Sequence, residues 1–172
     1  MHLIALITIM GNIASLFSRP TLSSLPTTLR NKRWVLTQYP KGNFNATRDA
    51  ELVEDQIDLS TVSDDMVVVE VKALSVDAFI RTMLDDTENV AHGTAGLGST
   101  IPALGYGKII KGNKKFKEGA MVTGLLGATK YAVLPSMGLQ ASITLPRAKP
   151  TASLSILGIS GIAAYVGMFV SP

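Results

Sequence analysis

The chain contains no cysteine in 172 residues, which removes disulfides, thiol nucleophiles and thiolate metal sites together. Histidine is almost as scarce. Only His2 and His92 could supply imidazole, and neither has a second ligand at metal spacing, so no zinc or other metal site is expected. Charged residues are few, 17% against 47% hydrophobic, a balance that fits neither a disordered chain nor a highly charged, solvated one. The net charge of +3 hints at nucleic acid, but the basic residues are scattered. Lys111, Lys114, Lys115 and Lys117 form the one local cluster, broken by Gly112, Asn113 and Phe116. It reads as a solvated turn rather than a phosphate-binding patch, and no nucleic-acid partner is expected. What remains is enough apolar chain for one domain with a real core, plus appendages.

Residues 1–31 differ from the rest of the chain and read as a leader outside the fold. Leu3 to Met10 is apolar, extended by Ile13, Leu16 and Phe17, with Arg19 and Arg30 after it and no acidic residue before Asp49. A secretory signal would carry its positive charge ahead of the apolar run. An acid-poor transit peptide fits Ser15 to Arg33 better, which would make the location cytoplasmic or organellar. The run is short of the ~20 residues a membrane span needs. A targeting segment, a membrane anchor and a misassigned start all remain open.

Residues 32–150 read as a β-rich domain. Trp34 to Tyr39 alternates weakly, and Glu51 to Ile57 suggests a second strand. Met66 to Ala73 (MVVVEVKA) carries the strongest strand signal, β-branched and closely spaced. Asp77 opens a turn or short helix within Leu74 to Leu84, and Asp85 to Thr100 is a loop by composition. Ile101 to Lys111, Gly119 to Leu126 and Thr129 to Leu134 complete the set. Short strands punctuated by Gly and Pro suggest a small barrel or sandwich.

Several motifs fail on inspection. Gly93-Thr-Ala-Gly-Leu-Gly98 reverses the dinucleotide fingerprint and lacks the flanking strand and helix. Gly107-Lys108 is no phosphate loop, because Pro102 stands where the first glycine belongs and Ile109 replaces the hydroxyl residue. Ser136, Ser153, Ser155 and Ser160 have no base partner at a suggestive spacing, which disfavours a hydrolase. Asp85, Asp86 and Glu88 read as a solvated acidic group rather than a cation site.

Residues 151–172 are uncharged and apolar. They read as a short helical hairpin, with Thr151 capping a first helix and Ser160 a second. Ile162, Tyr165, Val166 and Phe169 then share one face. Helices this short are marginal alone, so that face needs a partner.

Taken in order, LSVDAFIRTML, IPALGYGKII, FKEGAMVTGLLGATKYAVLP and LGISGIAAYVGM resemble segments of the zinc-free medium-chain reductases that reduce alkenals, enones and oxo-prostaglandins. The similarity runs from about Lys32 to Val170. It implies a mainly β fold, a GroES-like partly open β-barrel with a C-terminal helical hairpin. It also implies a separate Rossmann domain for NADPH, which would begin after the hairpin and is absent from this sequence. The chain is thus expected to be the substrate-side portion of the enzyme, inactive alone, and to meet a cofactor-domain partner or another copy of itself.

By position, Asp77 and Arg81 match the family's Asp and Arg, which the resemblance places at the turn beside the substrate pocket with Phe79 and Met83. Phe79 replaces a tyrosine and Ala78 a proline. Ile159, Ser160 and Ala163 replace the Met, Pro and Thr expected on the cofactor side, while Tyr165 is retained as the candidate catalytic hydroxyl. The implied chemistry is hydride transfer from NADPH to the β-carbon of an enone or alkenal, with a donor stabilising the enolate. Two other readings stay open. The substitutions at Phe79 and Ala163 suit a non-catalytic scaffold or interaction module. Ala152 to Val170 approaches membrane-spanning length with Arg147 and Lys149 on one flank, although Gly158, Ser160 and Gly161 interrupt it.

Overall fold

The computed structural model describes residues 26–86, 93–143 and 146–170. Most of the expected leader, with His2, and the loop residues Glu88 and His92 lie outside the described residues. Strand β1 (Thr28–Leu36) pairs antiparallel with β2 (Ala50–Asp58) along its whole length, from Thr28 opposite Asp58 to Leu36 opposite Ala50. It starts six positions ahead of the expected Trp34 and ends earlier than Tyr39. Between the two strands lies one turn of helix, α1 (Ala46–Asp49), capped by Asn45 through a 3.0 Å bond from the Thr47 amide. The side chain of Asp49 is fully buried there. It accepts hydrogen bonds from Arg48 Nε at 2.5 Å, Gln38 Nε2 at 2.9 Å and the Asn45 amide at 2.8 Å. Those bonds satisfy the buried charge that would otherwise forbid the turn.

The second sheet is antiparallel throughout, in the order β6-β3-β4-β5-β7. Its strands are β3 (Met66–Ser75), β4 (Leu104–Lys111), β5 (Met121–Leu125), β6 (Tyr131–Pro135) and the two-residue β7 (Gln140–Ala141). Strand β3 sits inside the sheet and is covered on both faces, so Val67, Val68 and Val69 are all 0% exposed. Its ladder with β4 slips at two places. Ile110 is the extra residue on β4 between Val68 and Val69, and Lys72 the extra one on β3 between Val71 and Ala73. Such bulges bend and twist a pair of strands.

The sheets meet along β1. The Trp34 amide donates to the Ala128 carbonyl at 2.9 Å, Lys130 to Lys32 at 2.8 Å, and Leu36 to Ser99 at 3.0 Å. These contacts curl the strands around a core of Val67, Val69, Ile109, Phe116, Val122, Leu126, Ala132 and Leu139. The result is the expected partly open barrel, with no closed ring of strands among the described residues. A smaller cluster of Leu36, Leu84 and Ala95 lies beside it, with Tyr39 and Ile101 packed on.

The C-terminal hairpin is present, but its caps are not the expected ones. A 3-10 turn spans Pro150–Leu154, with Lys149 as N-cap and Pro150 rather than Thr151 opening it. Helix α2 (Ile159–Tyr165) starts from Gly158 with no side-chain cap, which leaves Ser160 inside the helix. A wider π turn, Val166–Val170, continues it. Gly158 and Gly161 are required by close approach. A methyl on Gly158 would lie 2.9 Å from the Ser153 carbonyl oxygen, and one on Gly161 would fall on the backbone of Ile156. No described helix is long and apolar enough to cross a membrane.

Candidate functional site

The residues singled out by position fall on two elements. One is a 3-10 helix, Ala78–Leu84, entered directly from β3 through Val76 and Asp77. Its lower side is apolar, so Met83 and Leu84 are buried and hold it to the barrel. The Met83 carbonyl also accepts the Ala95 amide at 2.7 Å, fastening the segment around Ala95 to the helix. Arg81 makes the long-range connection. Its guanidinium pairs with Asp85 and donates to the carbonyls of Pro40 at 3.2 Å and Gly42 at 2.8 Å. A planar fork with several donors suits this triple contact in a way a lysine ammonium would not. Asp77 takes the N-cap position without a side-chain cap bond, and its Oδ2 is buried with no hydrogen-bond partner among the described residues. Phe79 is partly exposed, and its carbonyl accepts the Thr82 hydroxyl at 2.7 Å.

The other element is α2 with its π extension. Ile159, Ile162, Tyr165, Val166, Met168, Phe169 and Val170 are all exposed. The Tyr165 and Phe169 rings lie 5.3 Å apart, and the Tyr165 hydroxyl makes no hydrogen bond among the described residues. Tyr165 is therefore an outward aromatic with an uncommitted donor, not a core residue. Ser160 and Ala163 are exposed on the same helix. A helix that is apolar on every side is ordinarily covered by something else.

Two cavities flank the barrel. One, about 440 Å³, lies between β5, β7 and the hairpin, with Leu104, Thr123, Gln140, Leu154, Leu157 and Ile162 among its walls. Of the eight positions named from sequence only Ile159 reaches it. Ile162 joins it from the apolar helix face expected to need a partner, and the rest of that lining had no signal in the sequence, because β7 and the hairpin turn come together only through the fold. The second, about 430 Å³, lies where β1 and β2 face β6 and the turn after β5. None of the eight lines it.

The carboxylates with displaced acidity lie elsewhere. Asp49 is held well below the ordinary range, first by its bond from Arg48, then against burial by the Asn45 amide and Gln38. Glu54 is lowered by Lys32, Asp58 by the hydroxyl and amide of Ser60, and Asp65 by Ser63. All four tie turns or strand pairs together, so they mark structure rather than a reacting group. No group of three or more His, Asp or Glu side chains that could hold a metal occurs among the described residues.

Residues 32–142 match a family described as the N-terminal domain of oxidoreductase. The NADPH-dependent curcumin reductase of Escherichia coli strain K12 is 28% identical over 140 residues, covering 81% of this chain and 39% of its own. The NADP(+)-dependent 2-alkenal reductase of Nicotiana tabacum is also 28% identical over 140 residues, covering 80% of this chain and 40% of its own. The chain thus spans about two fifths of the length of these relatives. Among solved structures, CurA from Vibrio vulnificus superposes with a TM-score of 0.69 at 21% identity, over 81% of this chain and 40% of that one. An enoyl thioester reductase from Candida tropicalis gives 0.63 at 13%, over 84% and 44%. At these identities the superpositions establish a shared fold. CurA has also been solved in complex with NADPH.

Proposed function

This chain belongs to the family of oxidoreductase N-terminal domains, and from that premise we propose that it forms the substrate side of an NADP-dependent reductase of α,β-unsaturated carbonyls. The observation that carries the reading is the dual match, at equal identity, to a curcumin reductase and an alkenal reductase, both NADP(H)-dependent. The geometry supports it through α2, an uncovered apolar helix whose Ile159 and Ile162 line a cavity and whose Tyr165 hydroxyl has no partner among the described residues.

In this reading Tyr165 donates a hydrogen bond to the carbonyl oxygen as negative charge gathers there. A single preorganised donor of this kind is worth about 2.7–4 kcal/mol of barrier at comparable sites. Phe79 contributes an apolar wall, and buried Met83 holds its helix in place. Arg81 fixes that helix against the Pro40–Gly42 turn, and Asp77 starts it. NADPH, when bound, supplies the hydride that goes to the β-carbon. Ile159, Ser160 and Ala163 fit the nicotinamide end, being small or apolar and exposed. They do not fit the phosphates, for α2 and its π extension contain no lysine or arginine. The described residues contain no parallel strand pair with a glycine turn and helix, so the phosphates would be held by a cofactor domain packed over α2.

The test joins this chain to the cofactor-binding remainder of the Escherichia coli curcumin reductase and follows NADPH consumption with an alkenal. Turnover by the fusion, and none by the chain alone, is expected. A folded fusion that binds NADPH yet reduces no enone would sink the proposal. It would favour the second reading, a non-catalytic module, which rests on Phe79 standing where the resemblance calls for a hydroxyl.

A further inference from the structure

Strand β2 pairs with β1 on one side only and ends its sheet. The bonds just beyond the two ends of that pairing run from the Thr37 amide to the Asp49 carbonyl and from the Leu59 amide to the Thr27 carbonyl. Both join odd-numbered residues, and the register between them is unbroken. Hydrogen-bonded and non-hydrogen-bonded pairs alternate along an antiparallel ladder, so the amides and carbonyls of Leu52, Glu54 and Gln56 point away from β1. None of them has a hydrogen bond among the described residues. A row of unpaired backbone groups is a template for a further strand. Side chains add to it, because Leu52, 46% exposed, stands directly opposite Trp34, 41% exposed. An apolar pair therefore reaches the open edge.

The same strand carries Glu51, Glu54, Asp55 and Asp58, and like charges set directly opposite each other destabilise a strand pair. This restricts how a second copy of β2 can dock. Around a two-fold axis the two strands run antiparallel, and outward-pointing backbone groups must meet outward-pointing ones. Five such registers keep five or more residues of β2 paired. Centred on Val53, the pairing sets Glu51 against Asp55; centred on Glu54 or Asp55, it sets that carboxylate against its own copy. Centred on Gln56, it sets Glu54 against Asp58. Only the register centred on Leu52 opposes no two carboxylates. It places Leu52 against Leu52, Glu51 against Val53 and Glu54 against Ala50. Trp34, Leu52 and their copies then form one apolar row across four strands. We propose that the open edge of β2 docks on the same edge of a second copy of this chain, with residues 50–54 paired about a two-fold axis at Leu52. The contact is smaller than the about 20–30 residues a side of a standard interface, so the dimer is reversible and forms as concentration rises.

The chain has no cysteine, so Leu52→Cys supplies a single thiol for the test. In the proposed dimer it meets its own copy in a hydrogen-bonded pair, with Cα atoms about 5.5 Å apart, inside the roughly 4.4–6.8 Å that a disulfide spans. Mild oxidation of the full-length Leu52→Cys protein should convert most of it to a linked dimer on a non-reducing gel. Gln56→Cys, further along the same edge, has no copy opposite it and should stay mostly monomeric. In the unmodified chain, hydrogen exchange at the Leu52 and Glu54 amides should slow as protein concentration rises, while Gln56 stays unchanged. Equal linking at both positions, or none in Leu52→Cys, would overturn the proposal. So would exchange at Leu52 that does not depend on concentration. Association through the exposed α2 alone would reproduce neither result. The exchange comparison decides even if a cysteine variant does not fold, and it is independent of any reductase assay.

Discussion

Asn31→Ala tests the idea that one buried side-chain amide adds to the backbone bonds that fasten the two sheets together. Asn31 is 4% exposed on β1, and its Oδ1 accepts the Tyr131 amide of β6 at 2.9 Å and the Thr129 hydroxyl at 3.0 Å. Truncation does not strand both donors. The Thr129 hydroxyl has a second acceptor in the Tyr131 carbonyl at 2.9 Å, so it can redirect its proton. The Tyr131 N–H has no such alternative within β1. Leaving one buried donor unpaired costs about 1–3 kcal/mol. At roughly 2–4 °C per kcal/mol for a chain of this size, the melting temperature should fall by about 2–12 °C. Thr129→Val is the control, because it removes one hydroxyl and leaves the Tyr131 amide paired, and should cost no more than about 1 kcal/mol. Calorimetry gives the stabilities, and amide hydrogen exchange at Tyr131 gives the local effect, which should accelerate in Asn31→Ala alone. If Asn31→Ala melts within a degree of the parent with Tyr131 exchange unchanged, or if Thr129→Val costs as much, the assigned role is wrong.

Three further outcomes are expected. Gly161→Ala should pry the hairpin apart, since the added methyl falls on the Ile156 backbone; faster hydrogen exchange over 155–165 with an unchanged barrel signature would show it, and a silent variant would refute the close crossing. Arg81→Lys keeps the charge beside Asp85 but cannot serve both the Pro40 and Gly42 carbonyls. It should cost about 1 kcal/mol or less while raising protease sensitivity near Gly42. The pKa of Asp49 is lowered in the folded chain, chiefly by its bond from Arg48. Its contribution is therefore complete above the unfolded value near ~4 and drains away as pH falls through that value toward the lower folded one. Urea midpoints should be flat from neutral pH down to about 5 and then decline, with a shallower decline in the Asp49→Asn variant.

Much of the barrel was legible because its signals are local. The Val67–Val69 run and the succession of strands along the chain follow from side chains and their immediate neighbours. The start of β1 was hidden by Asn31. Leu29 and Asn31 both face inward, and a polar residue at an inward position breaks the alternation on which a strand reading depends. Only the distant Tyr131 and Thr129 make that position tolerable. The hairpin caps failed for a related reason. Thr151 and Ser160 are good caps in isolation, but the tight crossing demands glycine at 158, and Pro150 already supplies a preset start for the first turn. The bonds from Arg81 to residues some forty positions away leave no trace in spacing. At the candidate site, resemblance named residues on two elements, and the fold determined which were buried, which were exposed, and what lay between the sheets.

The paired slips in the β3–β4 ladder carry a consequence for how this domain can change length. Each strand holds one surplus residue, Lys72 on one side and Ile110 on the other, and the two offsets cancel. The rungs beyond them are therefore in phase at both ends, with only the stretch from Val69 to Val71 displaced. Neither surplus residue occupies a rung, so deleting either one leaves the pairs on both sides of it facing each other and removes one bulge with the bend it makes. Deleting both would keep the ends aligned. The two positions are the places where this sheet can lose a residue without any strand exchanging partners, at the cost of some of its curl.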